Sequence, residues 1–113
     1  MRYLMVHKID ETKPDAYSPS PELIAGMGAL MGEMTQAGIL LAADGVQHSS
    51  KGARIRLSGG KKTVTDGPFT EAKEVIGGYA VVQVRSLDEA KEWASRFADV
   101  VGDVEVEIRL IGE

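Results

Sequence analysis

The 113-residue sequence predicts an α+β fold in which two split strand–helix–strand units build one sheet. Hydrophobic patterns typical of strands and helices follow one another as strand, helix, strand, hairpin, strand, helix and strand. Two of these strands are apolar on both faces. The length, with 43% hydrophobic and 27% charged residues, fits one globular domain over residues 1–113, without linker or internal repeat.

The N-terminal residues 2–9 predict a central strand. Tyr3 and Met5 alternate on one face, while Leu4 and Val6 lie on the other. Apolar residues on both faces are typical of a strand that is covered on both sides.

A proline-rich segment, residues 10–22, predicts a surface loop that leads into the first helix. Ser20 can cap this helix through its hydroxyl, and Pro21 suits the first helical position because the amide there needs no partner. Gly38 should end the helix. Its apolar stripe consists of Leu23, Met27, Leu30, Met34 and Ala37, widened by Ile24 and Met31.

A short buried strand is predicted over residues 39–43, and residues 53–67 predict a β-hairpin that turns at Gly59 and Gly60. In the first hairpin strand apolar residues alternate with arginines, whose side chains should face water. The apolar set is Ala53, Ile55 and Leu57, and the polar set is Arg54 and Arg56.

Residues 78–84 predict the next strand, and Ser86 with Glu89 forms a capping box at the start of the second helix. Gly102 lies just past the end of that helix. Residues 104–111 alternate strictly and predict the last strand, so the order suits a ferredoxin-like α+β sheet with an inserted hairpin. The second helix carries the apolar residues Leu87, Ala90, Trp93, Ala94 and Phe97.

Two amphipathic helices can cover only one face of such a sheet. The strands at residues 2–9 and 78–84 nevertheless carry apolar residues on both faces. A second copy of the chain would cover the open face in a symmetric contact. We therefore expect a homodimer that forms through the open sheet face and encloses a barrel-like interior.

Composition excludes several classes of function. The net charge is -4, and no basic run is longer than Lys61–Lys62, which argues against a nucleic-acid partner. The chain has no cysteine, so disulfides and thiolate chemistry are excluded. The N-terminal apolar stretch is too short for a signal peptide, and no segment approaches the ~20 apolar residues of a membrane span. We expect a cytoplasmic protein without a membrane partner.

The tetrapeptide Asp66–Phe69 first predicts a turn, because its residue types favour unusual or restricted backbone dihedral angles. Thr70 could then cap a single helical turn that ends at Gly77–Gly78. In this interpretation the segment only shapes the rim of the domain.

The alternative interpretation is functional. The turn would hold the Asp66 carboxylate and the Phe69 ring at the mouth of a cleft, where an apolar neighbour can raise the pKa of a carboxyl group. Lys73 could anchor an anionic substrate. The charged side chains Glu71, Lys73 and Glu74 would otherwise form a solvated surface.

The two histidines are weaker candidates. His7 and Lys8 point to opposite faces of the first strand, so one faces the helices and the other the open face. His7 is either a hydrogen-bonded core residue or a general base, whereas His48 is expected to be solvated. Ser49 and Ser50 lack the sequence of a hydrolase nucleophile, and we expect neither a metal nor a cofactor.

Residues 63–94 resemble the YciI-like (YCII-related) family, in particular the branch named DGPF after the tetrapeptide at Asp66–Phe69. The resemblance extends back through residues 37–64 and the N-terminal strand. It implies a dimeric α/β barrel, whose wider relatives include small-molecule monooxygenases, isomerases and lyases that work in the cleft between sheet and helices. Some members of the family are encoded with or joined to alternative sigma factors.

An acid–base pair suggested for the YciI branch includes a histidine near the first helix. Residues 20–37 contain no histidine, so this pair cannot be carried over. The resemblance instead points to Asp66, within the DGPF tetrapeptide, and to Asp44–Gly45, which follows the predicted second strand.

Two functions therefore stay open. One is a dimer that binds or transforms a small anionic metabolite near the turn. The other is a non-catalytic interaction module associated with sigma-factor regulation. The sequence does not decide whether there is catalysis. In the first case the catalytic candidates are Asp66, Asp44 and His7, and the ligand-binding candidates are Lys8, Lys73, Phe69 and Tyr79.

Overall fold

The computed structural model describes residues 1–112, which form a four-stranded sheet, a two-stranded hairpin and two α-helices. The helices are α1 (Pro21–Gln36) and α2 (Leu87–Val101). The strands of the main sheet are β1 (Arg2–Ile9), β2 (Leu40–Gly45), β5 (Val75–Gln83) and β6 (Val106–Leu110). The hairpin consists of β3 (Ala53–Ser58) and β4 (Lys61–Asp66) and follows a short 3₁₀ turn at Ser49–Lys51.

The main sheet has the strand order β2-β5-β1-β6, and every neighbouring pair is antiparallel. Each helix connects an edge strand with one of the two central strands. This arrangement is the ferredoxin-like α+β fold that the order of the sequence patterns predicts.

Both helices pack on the same face of the sheet, and the core lies between the two layers. Val82 of β5 and Ala90 of α2 are fully buried there. Leu30 and Met34 bring the apolar stripe of α1 onto the same core. Within residues 1–112, neither helix is both long and apolar enough to cross a membrane.

The start of α1 follows its predicted capping chemistry. The Leu23 amide donates to Ser20 Oγ at 3.1 Å, and Pro21 occupies the first turn. Gly38 takes a φ of 71° just past the helix, as the predicted stop requires. The expected width of the apolar stripe was wrong, since Ile24 is 59% exposed on the outer side of the helix.

The start of α2 confirms half of the predicted capping box. The Glu89 amide donates to Ser86 Oγ at 3.1 Å. The Glu89 carboxylate accepts from the side chain of Arg85 at 2.7 Å instead of returning to the Ser86 amide.

The hairpin turns at Gly59 and Gly60, which take φ values of 56° and 78°. Such left-handed residues match the twist of a tight hairpin. The apolar side of the hairpin is uncovered, because β3 and β4 form a separate sheet. Its side chains are 62–70% exposed: Ile55, Leu57 and Val64.

Three predicted boundaries were wrong. Strand β2 runs on to Gly45, so Asp44 lies within a strand. Strand β5 already begins at Val75, and no helical turn precedes it. The glycines at 77 and 78 are strand residues at an irregularity in the pairing with β1. Strand β6 begins at Val106, two residues later than predicted, and Leu110 at its end is 57% exposed.

Candidate functional site

A groove of about 660 Å³ lies between the base of the hairpin and one end of the main sheet. It opens on the sheet face that carries no helix, because Lys8 and Ile76 point to that face. We call this cavity the groove. Its wall residues are Lys8, Val46, Gln47, His48, Ser49, Lys51, Gly52, Ala53, Arg54, Phe69, Glu74, Val75 and Ile76.

The turn at Asp66–Phe69 is held by residues outside itself. The Phe69 amide donates to Ser49 Oγ at 2.9 Å, and the Gly67 amide donates to the Gly52 carbonyl at 2.9 Å. A Cβ at position 67 would overlap the Ser49 carbonyl. The turn is thus seated on the 3₁₀ turn at Ser49–Lys51, and this contact requires glycine.

Ser49 is in turn held by Glu11 from the loop after β1. Both the amide and the hydroxyl of Ser49 donate to the Glu11 carboxylate, the amide at 2.9 Å. The side chain of Glu11 is only 7% exposed, and Ser49 is 8% exposed. The hydrogen bonds from the Ser49 hydroxyl and amide lower the pKa of Glu11, so the carboxylate is ionised.

Two aromatic side chains complete the surroundings of Glu11. The Tyr17 hydroxyl donates to the carboxylate at 3.3 Å, and His48 Nε2 lies 3.8 Å from it. The Ser50 amide donates to His48 Nδ1 at 3.1 Å, which makes Nδ1 an acceptor and leaves the proton of the neutral ring on Nε2. We call Glu11, Tyr17, His48 and Ser49 the Glu11 cluster.

Arg54 and Phe69 form one wall of the groove. The Arg54 guanidinium carbon lies 3.8 Å from the centre of the Phe69 ring, in a cation–π contact. Arg54 also forms an ion pair with Glu71. Hydrogen bonds from the backbone of Glu71 and from Arg54 lower the pKa of the Glu71 carboxyl group.

The groove wall is rich in cations. Lys8, Lys51 and Arg54 contribute three positive charges, against one carboxylate from Glu74. Arg54 is paired with Glu71, whereas the two lysines have no carboxylate partner within 4.0 Å among residues 1–112. The groove therefore combines apolar walls with an excess of positive charge, including two ammonium groups that form no ion pair within residues 1–112, and this suits an anion.

The groove contains only two of the residues proposed from sequence, Lys8 and Phe69. Asp66 is the last residue of β4, and its side chain lies on the other face of the hairpin from that of Arg54. Asp66 is exposed and does not line the cavity. Lys73 is exposed on the connection to β5, also outside the wall. The turn contributes its ring and its backbone, rather than its carboxylate.

Asp44 and Tyr79 form a separate pair on the open face. They are opposite each other on β2 and β5, and the Tyr79 hydroxyl donates to Asp44 Oδ2 at 2.8 Å. This hydrogen bond and the negative charge raise the pKa of Tyr79. Tyr79 consequently stays protonated near neutral pH and does not act as a base there, and neither residue lines the groove.

His7 faces the helices. Its ring lies 5.1 Å from that of Phe97, and burial lowers the pKa of the imidazole. The cavity beside it measures only about 40 Å³, room for about one water molecule. This cavity lies in the cleft between sheet and helices, where the resemblance placed catalysis in wider relatives, and it is too small for a ligand. The open face carries the larger cavity.

The glycines after Val75 accommodate this histidine. A Cβ at Gly78 would lie 2.7 Å from His7 Cε1, and one at Gly77 would lie 2.9 Å from His7 Nε2. The ring thus packs directly on the backbone of β5.

Among residues 1–112, no group of three or more acidic, histidine or cysteine side chains could hold a metal ion.

Sequence reasoning missed most of the groove. His48 was expected to be solvated, and its side chain is 38% exposed, but its contact with Glu11 was not predicted. Glu11 and Ser49 were not proposed at all, since their contact spans 38 residues of sequence. A usable signal was the basic pair Lys51 and Arg54 on either side of a predicted strand start.

The antiparallel ferredoxin-like sheet with its inserted hairpin places the chain among small α+β proteins. The chain belongs to the YCII-related domain family, whose model matches residues 1–110. It is also similar to an uncharacterized protein of Rhizobium meliloti (strain 1021). The two are 30% identical over 96 residues, which span 83% of this chain and 77% of that protein.

Proposed function

We propose that this protein is a homodimeric binding protein of the DGPF type, which holds a small organic anion in the groove. The observation that carries the proposal is the pair of ammonium groups, Lys8 and Lys51, on the wall of a cavity of about 660 Å³. Neither lysine forms an ion pair within residues 1–112, so both ammonium groups are available to attract an anionic ligand.

The walls also suit an apolar ligand body. Four apolar residues of the wall lie among the cationic ones: Phe69, Val46, Val75 and Ile76. Cavities that bind small molecules usually measure about 300–1,000 Å³ and combine apolar walls with a few polar groups. A ligand with one anionic head and a compact apolar body matches both properties.

Binding is favoured over catalysis by the position of the titratable groups. Asp66 and Asp44 lie outside the groove wall, and His7 points into the core. His48 lines the groove, but its Nδ1 accepts from the Ser50 amide and its Nε2 faces Glu11. Glu74 does line the groove, and a catalytic role would require its carboxylate or one of these other groups to reach the ligand.

The dimer of the proposal would form through the open sheet face. Leu4, Val6 and Val81 lie on that face and are half-buried within one chain. A second copy would cover them and close the open side of the groove. An isologous contact of this type is the commonest in soluble assemblies.

Anion binding is tested by fluorescence titration with anilinonaphthalene sulfonate, an aromatic anion, and by its displacement with aromatic and aliphatic carboxylates. Replacing Lys8 or Lys51 by Ala should weaken probe binding roughly 3- to 10-fold, as expected for loss of one charge-assisted contact. Lys91→Ala, on the exposed side of α2, is the matched control and should leave binding unchanged.

If all three lysine variants bind the probe like the wild type, the groove is not an anion site. The alternative function, a non-catalytic interaction module, then takes precedence. Its supporting observation is the uncovered apolar side of the hairpin, where Ile55 lies opposite Val64 and both are at least 62% exposed.

The dimer is tested separately by sedimentation analysis. Val81→Lys places a charge on the open face and should yield monomers, since the paired residues on the two neighbouring strands, Leu4 and Ala42, offer a desolvated lysine no carboxylate. Ile24→Lys, on the exposed side of α1, should leave the assembly unchanged. A monomeric wild type at micromolar concentration would refute this part of the proposal.

A further inference from the structure

We infer that Glu11 is a positioning residue of the groove, although it does not line the cavity. Glu11 orients Ser49, Ser49 holds the turn at Phe69, and Phe69 forms the wall together with Arg54. The inference rests on the proposed anion site, because it assigns to Glu11 an effect on the affinity of that site.

The Ser49 hydroxyl connects Glu11 to Phe69 because of the direction in which it donates. A serine hydroxyl has one proton to donate and can accept at its lone pairs. Its proton goes to the Glu11 carboxylate, so the oxygen is left to accept from the Phe69 amide at 2.9 Å. Without an acceptor at Glu11, the hydroxyl could rotate and lose this orientation.

Ser49 and the turn are in tight contact. The Gly67 backbone lies so close to the Ser49 carbonyl that no Cβ fits between them. The Gly67 amide is bonded to the Gly52 carbonyl, just after the 3₁₀ turn. A shift of Ser49 would therefore be transmitted to the turn, since close-packed contacts do not absorb such displacements.

Phe69 connects the turn to the ligand site. The Phe69 ring stacks on the Arg54 guanidinium, and both side chains line the groove. If the Phe69 backbone loses its bond to Ser49, the ring can leave Arg54. The wall would then widen, and a bound apolar body would lose contact area.

The surroundings of Glu11 favour a fixed geometry. The Ser49 amide and hydroxyl, the Tyr17 hydroxyl and the His48 ring all face its carboxylate. Three of these contacts are donated hydrogen bonds to an ionised group, a type that is stronger than a bond between neutral groups. The carboxylate is thus the common acceptor that joins the loop after β1 to the 3₁₀ turn.

The test compares Glu11→Gln with the wild type in two measurements, amide hydrogen exchange at Phe69 and titration with anilinonaphthalene sulfonate. The Gln side chain has nearly the same shape, but only one of its two terminal atoms is an acceptor, so it cannot replace both bonds from the amide and the hydroxyl of Ser49. We expect exchange at Phe69 to accelerate and probe affinity to fall, each roughly 3- to 10-fold, as for one lost hydrogen bond. Glu92→Gln, an exposed change on α2 away from the open face, should alter neither.

Ser49→Ala removes the same link from the other side and should reproduce both effects. It also serves as the second variant if Glu11→Gln does not fold. Lys8→Ala should lower the affinity for the probe without changing amide hydrogen exchange at Phe69. This variant separates the loss of a direct binding contact from the positioning effect of Glu11.

Unchanged exchange at Phe69 in Glu11→Gln would overturn the inference. Faster exchange at Phe69 in Glu11→Gln with unchanged probe affinity would also overturn it, provided that Lys8→Ala lowers the probe affinity. A probe that is insensitive to Lys8→Ala and Lys51→Ala would instead refute the proposed anion site, and the role of Glu11 in affinity would fall with it.

Discussion

Gly67 lies against Ser49 so closely that a Cβ on the glycine would overlap the carbonyl oxygen of the serine. The contact joins two segments that are distant in sequence, the 3₁₀ turn and the connection between β4 and β5. It explains the glycine by packing between segments. The φ of Gly67 is not positive, so backbone conformation alone does not require glycine there.

Gly67→Ala should therefore destabilise the protein by about 1–3 kcal/mol, as expected for a methyl group forced into a closed contact. Urea denaturation gives the free energy of unfolding. Gly28→Ala and Gly32→Ala are controls, because both lie in α1 with open space around the missing Cβ. Each control should be neutral or stabilise by up to about 1 kcal/mol, since alanine favours the helix. Equal stability of Gly67→Ala and the wild type would contradict the close contact.

Much of the fold could be predicted because its signals are local. The Ser20 cap, the Gly59–Gly60 turn and the alternation in β1 each depend on residues close in sequence. The boundaries of β5 were wrong because Gly77 and Gly78 suggested a break. Their reason, the ring of His7 on the neighbouring strand, is a tertiary contact that no local pattern contains.

The candidate site was less predictable for the same reason. Phe69 and Lys8 could be proposed from their residue types, but the contact that holds the turn comes from Glu11 and Ser49. These residues lie in segments that resemble ordinary surface loops. Only the folded chain brings them to the base of the hairpin.

The contact between Gly78 and His7 allows a second prediction. Gly78→Ala should destabilise the protein by about 1–3 kcal/mol, because its Cβ would lie 2.7 Å from His7 Cε1. In the background of His7→Ala this cost should shrink, although the Asp44 carbonyl, 3.0 Å from the same Cβ, leaves part of it. A double-mutant cycle on the free energy of unfolding measures the coupling. Strict additivity of the two changes would show that the ring does not cause the cost.

His7 also predicts a pH dependence of stability. Burial lowers the pKa of His7 in the folded protein below its ordinary value of 6.5. Between these two pKa values the unfolded chain binds more protons than the folded one, so the free energy of unfolding falls as the pH falls below about 6.5. The decline levels off below the pKa of the folded state.

Urea denaturation at closely spaced pH values measures this effect, and His7→Phe should remove it. Glu11 and Glu89 do not interfere in that window. Their pKa values are lowered from 4.5, so their contributions are lost only at more acidic pH. A slope around pH 6.5 that persists in His7→Phe would exclude His7 as its origin.

The stacking of Arg54 on Phe69 should affect ligand binding through the shape of the groove, independently of the positive charge. Arg54→Lys keeps the positive charge but loses the planar group that stacks on Phe69, 3.8 Å from the ring centre. An exposed cation–π contact contributes about 0.5–1 kcal/mol, so the affinity for anilinonaphthalene sulfonate should fall by up to about five-fold. Arg56→Lys is the matched control, since it lies on the same strand outside the groove wall. If Arg54→Lys and Arg56→Lys bind the probe equally well, charge alone determines binding and the stacked wall is dispensable.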